Sequence, residues 1–135
     1  MPGYEVFEHT ADVGIRAFGK TLPEILENAA LGMMNVICDA SSVEPAEMCK
    51  VMVEGDSDER MLYAWLAELL YLVDTENMLY SKFQVAITDG KLKAKIWGEP
   101  IDRTKHKIKM EIKAVTWHML KLDLNEGNAQ VLFDI

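Results

Sequence analysis

Two short stretches at opposite ends of the sequence concentrate the groups most able to do chemistry. His9, Thr10, Ala11, Asp12, Val13 and Gly14 form a polar break between two strand-forming segments, which puts a carboxylate at a turn. The sequence closes on Phe133, Asp134 and Ile135, so a side-chain carboxylate stands beside a main-chain one. If the last strand pairs near the first hairpin, Asp12, Asp134 and the Ile135 terminus converge as an all-oxygen cluster. Such a cluster suits a hard divalent cation (calcium, magnesium or manganese) rather than zinc, and the cation would relieve repulsion among the carboxylates. Taken alone, Asp12 has a plainer reading as a turn former.

A third stretch, Lys113 to His118, joins a Lys and a His on a segment that also carries Thr116 and Trp117. Its plain reading is a strand whose polar residues face water. Asp39 reads as a cap or loop residue, and Glu44 and Glu68 as solvated carboxylates. The sequence has no Gly-rich phosphate loop, nucleophile elbow or His-Glu-x-x-His pattern, and its three histidines are scattered. Nothing here points to an enzyme acting by itself.

The elements that must position these groups are legible in outline. Tyr4 and Val6, then Val13 to Phe18, predict two short strands. Thr21 and Glu24 form a capping box, followed by Leu22, Ile25, Leu26, Ala29, Met33, Val36 and Ile37 at helical spacing, ending near Cys38. Val51 and Val53 predict a third strand. Asp56 and Glu59 suggest a second capping box, before a helical stripe of Met61, Leu62, Trp65, Leu66, Leu69, Leu70 and Val73 that closes at Asp74 to Asn77.

From Phe83 the period becomes two. Phe83, Val85 and Ile87 precede Asp89-Gly90, and Leu92, Ala94 and Ile96 follow, which predicts a hairpin. Gly98 and Pro100 break the sheet. Ile108, Met110, Ile112 and Ala114 alternate with charged residues as another half-buried strand, and a last hairpin turns at Asn125 to Asn128. The expected fold class is α/β of the α+β type: a mostly antiparallel sheet with two helices packed on one face, in two layers. Residues 1–135 read as a single domain without linker or repeat.

Composition narrows the partners. A formal charge of −8 over 135 residues argues against broad electrostatic binding to nucleic acid, which depends on Lys and Arg displacing counterions. Cys38 and Cys49 lack metal-finger spacing and read as free thiols in a reducing compartment. No segment approaches the length needed to span a bilayer, and no basic-then-apolar leader opens the sequence, so the expected location is cytoplasmic.

Three motifs in order, Tyr4 to Gly14, Lys113 to His118 and the closing Asp134-Ile135, resemble those of the archease family, and the resemblance covers essentially the whole chain. It implies a non-enzymatic partner of the tRNA-splicing RNA ligase, which joins a 3′-phosphate or 2′,3′-cyclic-phosphate end to a 5′-hydroxyl through a guanylylated intermediate. Members of the family promote guanylylation and turnover of that ligase and broaden the nucleotide it accepts. The resemblance also implies a metal site at Asp12, Asp134 and a main-chain oxygen of Ile135, with calcium the expected occupant. His9, Asp39, Lys113 and His118 lie in family-like motifs without assigned roles. The competing expectation is a chaperone-like modulator of a tRNA-modifying enzyme, such as a tRNA cytosine methyltransferase. A small hydrolase using the Asp12 metal is disfavoured, because no nucleophile or positioned base accompanies the carboxylates.

Overall fold

The structure, a computed structural model, describes residues 3–135; Met1 and Pro2, the start of the stretch searched above for a leader, lie outside the described residues. Seven strands and two helices follow in the order β1 (Tyr4–His9), β2 (Asp12–Phe18), α1 (Leu22–Ile37), β3 (Glu47–Glu54), α2 (Asp58–Glu76), β4 (Met78–Thr88), β5 (Lys91–Pro100), β6 (Ala114–Asp123) and β7 (Asn128–Asp134). The α+β class, the antiparallel pairing and the two helices are as expected. The strands divide into two sheets, ordered β1-β2-β7-β6 and β3-β5-β4, and both helices touch strands of both sheets.

That placement explains the composition of α1. Ile25, Leu26, Ala29, Ala30, Met33, Met34, Val36 and Ile37 are all buried, a wider apolar arc than a helix needs when only one side is covered. Its start is fixed by Thr21, whose hydroxyl accepts from the Glu24 backbone N–H at 3.3 Å, while Glu24 reaches back to the Lys20 N–H at 3.1 Å. In α2 the cap is Ser57 rather than Asp56. The Ser57 hydroxyl accepts from Arg60 N–H at 3.1 Å, and Asp56 instead forms an exposed ion pair with the Arg60 side chain at 3.2 Å. Asn77 ends the helix in the left-handed region, at φ 52°. Trp65, fully buried, ties the helices together by donating its indole N–H to the Leu26 carbonyl at 2.9 Å.

The β4–β5 hairpin turns at Asp89 and Gly90, both with positive φ, as the Asp-Gly pair predicts. Both strands are longer than the alternation suggests. β4 begins at Met78 and contains an irregularity between Tyr80 and Lys82, which shifts the alternation by one residue. β5 runs on through Gly98, where a Cβ atom would overlap the carbonyl oxygen of Leu79, so this glycine permits close approach of two backbones.

The strand expected over Ile108 to Ala114 does not form before Ala114. Residues 101–113 are extended or turned, and their backbone bonds go elsewhere: Ile108 bridges Cys38, and Lys109 N–H donates to the Ile37 carbonyl at 2.7 Å. The alternation is real, since Ile112 is buried and Ile108 and Met110 half-buried, but it packs against the core without a ladder partner.

This segment is pinned by Glu99. One of its oxygens accepts from Lys105 Nζ at 2.7 Å, Glu44 N–H at 2.7 Å and His106 Nε2 at 2.9 Å. His106 is buried, and its Nδ1 accepts from Asp102 N–H at 3.0 Å, which assigns the proton of the neutral ring to Nε2. The Lys105 hydrogen bond, then those from Glu44 and His106, hold the Glu99 carboxyl down to about 2, against an ordinary value of 4.5. The folded pKa is depressed, so this contribution to stability is fully present above pH 4.5 and is lost as pH falls through about 2. Glu99→Gln is therefore expected to lower stability at neutral pH and to shrink the loss on acidification between those values, as read by urea unfolding at stepped pH.

Candidate functional site

The β1–β2 hairpin turns through Thr10 and Ala11, and Ala11 sits at φ 62°, a conformation that favours glycine. His9 and Asp12 flank this turn as cross-strand partners. Asp12 is in turn the register partner of Asp134 on β7, and Asp134 of Ala114 on β6. His9, Asp12 and Asp134 thus form one row on one face, because register partners project to the same side of a sheet. The convergence of Asp12 with Asp134 expected from the sequence is observed, with Ile135 next along the chain.

The face opposite the core is shaped by an irregularity in β6. Thr116 pairs with Leu132 and Lys121 with Gln130, so four residues, Trp117 to Leu120, face one residue of β7. Met119, within this bulge, has φ 58°. The bulge brings the His118 ring to 5.8 Å from that of His9, although β1 and β6 are the two edges of the sheet. Trp117 stacks on Tyr63 of α2 with centroids 4.3 Å apart. Lys113 takes part through its backbone, its N–H donating to the Asp134 carbonyl at 2.7 Å.

The residue that holds the bulge was not singled out in the sequence. Gln130, 4% exposed, donates to the Met119 carbonyl at 3.0 Å and accepts from Arg16 Nε at 3.1 Å. Arg16 continues to Glu5 at 3.1 Å and lies over the Phe7 ring at 4.2 Å. A glutamine inside the apolar run from Ala129 to Phe133 is the available sequence signal. Gln130→Ala leaves two polar groups without these partners and is expected to cost about 1–3 kcal/mol in urea unfolding. Loss of the near-ultraviolet circular dichroism of the Trp117–Tyr63 stack would show that the bulge has moved; an unchanged signal and stability would assign it no such role.

Asp39 is accounted for locally. It caps the turn Ala40–Ser42, accepting from the Ser41 hydroxyl at 2.7 Å and the Ser41 N–H at 3.0 Å, and these bonds hold its carboxyl below the usual range. Cys38 and Cys49 are free thiols, and burial pushes the Cys38 thiol up.

The donors bear on the expected cation as follows. Among the described residues, no three His, Cys, Asp or Glu side chains are grouped so as to hold a metal ion. What the site offers is two carboxylates facing each other across neighbouring strands, an unfavourable pairing of like charges that a cation would neutralise. Beside them, His9 Nδ1 is buried without a hydrogen-bond partner, 3.8 Å from Asp12 Oδ2. This donor set fits a hard cation whose remaining ligands are main-chain oxygen and water.

Comparison with known proteins identifies the family and the fold together. The model of the Archease protein family matches residues 4–135. Protein archease of Sulfurisphaera tokodaii is 46% identical over 134 residues, covering 98% of this chain and 96% of that one. Protein archease of Pyrococcus abyssi is 42% identical, covering 100% of both. The solution structure of Methanobacterium thermoautotrophicum protein 1598 superposes with a TM-score of 0.87 at 41% identity, covering 100% of both chains. A Thermotoga maritima archease, described as a possible chaperone, shares the fold, with a TM-score of 0.67 at 19% identity over 97% of this chain and 96% of that one. Matched along its length by the family model and by these relatives, the chain belongs to the archease family.

Proposed function

We propose that this protein activates the tRNA-splicing RNA ligase, promoting its guanylylation and turnover and broadening the nucleotide it accepts, without chemistry of its own. The observation that carries the reading is the cross-strand register of Asp12 with Asp134, which sets two carboxylates of two family-like motifs side by side. Together with a main-chain oxygen of Ile135 they would hold a divalent cation, calcium by the expectation above, presented to the ligase at one end of a sheet. Hard oxygen donors suit calcium or magnesium, and a surface cation could supply the charge needed near a transferring nucleotide.

The test is a guanylylation time course of the cognate ligase with substoichiometric amounts of this protein. Stimulation of many ligase molecules per molecule added supports the reading, and no change in rate or in the nucleotides accepted overturns it. The description of the Thermotoga relative as a possible chaperone favours, as a second reading, a chaperone-like modulator of a tRNA-modifying enzyme. Protection of a tRNA cytosine methyltransferase from aggregation, with no effect on the ligase, would establish it instead.

A further inference from the structure

The negative net charge conceals a segregated positive face. On the second sheet Val51, Val85, Leu92, Ala94 and Ile96 are buried on the side that meets the helices, and the opposite side is uncovered. Register places Lys50, Lys82, Lys91, Lys93 and Lys95 there, all exposed, with two carboxylates in the same alternation: Glu54 beside Lys91, and Glu99 at the far end of β5, where Lys105, His106 and the Glu44 N–H engage it. Glu54 lies 3.9 Å from Lys91, and among the described residues the other four lysines have no carboxylate within 4.0 Å.

Three features distinguish this face from an ordinary solvated one. Lys50 and Lys95 are direct cross-strand partners, a like-charge pairing that weakens a sheet unless an anion lies between. Lys91, Lys93 and Lys95 repeat at about 7 Å along the central strand, an interval similar to that of successive phosphates in an extended nucleic-acid strand. The face is also shallowly concave, an open depression of about 600 Å³ over Lys50, Met52, Gln84, Ala86, Lys93 and Lys95. Lys82 is steadied by the Trp97 ring, 4.7 Å from its ammonium.

We propose that this sheet face holds the phosphate backbone of a single-stranded RNA segment. A protein partner is disfavoured by the side chains used. Lysine is depleted from protein interfaces, and this face has no arginine fork to grip a carboxylate, whereas lysine serves as a point charge for phosphate. RNA rather than DNA rests on the proposed role beside an RNA ligase; the lysines themselves read only the backbone. The negative remainder of the chain keeps such binding weak and sensitive to salt.

The test uses the full chain without ligase, so that its failure leaves the proposed activation untouched. A fluorescein-labelled single-stranded RNA of twelve nucleotides is titrated by anisotropy. With four phosphates neutralised, the logarithm of affinity is expected to fall with that of salt at a slope of about −3, or about 50-fold between 50 and 200 mM. Lys93→Gln/Lys95→Gln should weaken binding about tenfold or more and reduce the slope by about half, while Lys107→Gln/Lys121→Gln, exposed but off this face, should not. Absence of binding at 50 mM salt, equal loss in both double variants, or equally effective displacement by polyglutamate of matched charge would each overturn the proposal, the last by showing a surface that reads acidic chains as well as RNA.

Discussion

Asp12→Ala and Asp134→Ala are each expected to bring guanylylation down to the rate of the ligase alone and to weaken calcium binding more than tenfold. Each substitution removes a ligand and a negative charge together from a pair of facing carboxylates, and calcium, which takes about six to eight oxygen ligands, is held far less well against water by the one that is left. The fold should survive, because neither residue belongs to the core. The sign of the stability change separates this role from a structural one. Without metal, removing one of two facing carboxylates relieves a like-charge pair and should leave the unfolding temperature unchanged or slightly higher. With saturating calcium the wild type should gain stability and the variants should not. Wild-type stimulation by both variants, with unchanged circular dichroism, would remove the pair from the site.

Trp65→Ala should produce the largest loss of stability, about 3–5 kcal/mol, a substantial share of the 5–15 kcal/mol that holds a typical domain together. The side chain is fully buried, meets the Phe83 ring edge-on with centroids 6.3 Å apart, and bonds α2 to the Leu26 carbonyl of α1. Truncation therefore opens a cavity where the two helices meet and removes a bond between them. Trp65→Phe retains most of the volume and should cost far less. Urea unfolding decides: a midpoint shift at constant slope reports lost stability, and a shift below about 1 kcal/mol for the alanine variant would contradict this packing role.

The parts of the fold legible in the sequence are those specified by neighbours. Thr21 with Glu24 announces the start of α1, the apolar stripe of α2 marks its buried face, and Asp89-Gly90 marks a hairpin, because each depends on residues a few positions apart. The misread segments depend on distant groups. Residues 108–113 alternate like a strand, yet their backbone bonds go to the end of α1 and to Asp134, which no local pattern encodes. The irregularity at Tyr80 and Lys82 hides the first part of β4 by shifting the alternation. At the site, Asp12 and Asp134 stood out as acids ending apolar strands. The nearness of His9 to His118 did not, because it arises from the β6 bulge held by Gln130.

The pairing of β2 with β7 also sets a timetable. The two strands lie at opposite ends of the sequence, yet they are neighbours in the middle of one sheet. Until β7 inserts, β2 and β6 each keep an open edge able to capture other chains. During synthesis, α1, α2 and the β4–β5 hairpin can organise from local contacts as they emerge, while the first sheet waits for its central strand. Asp12 leaves the ribosome well before Asp134, its cross-strand partner, and stands unpaired while residues 13–133 follow. A chain in which β7 has not yet paired can therefore be largely helical and compact and still lack the carboxylate pair, so the calcium-dependent rise in stability expected above would mark the insertion of β7 between β2 and β6.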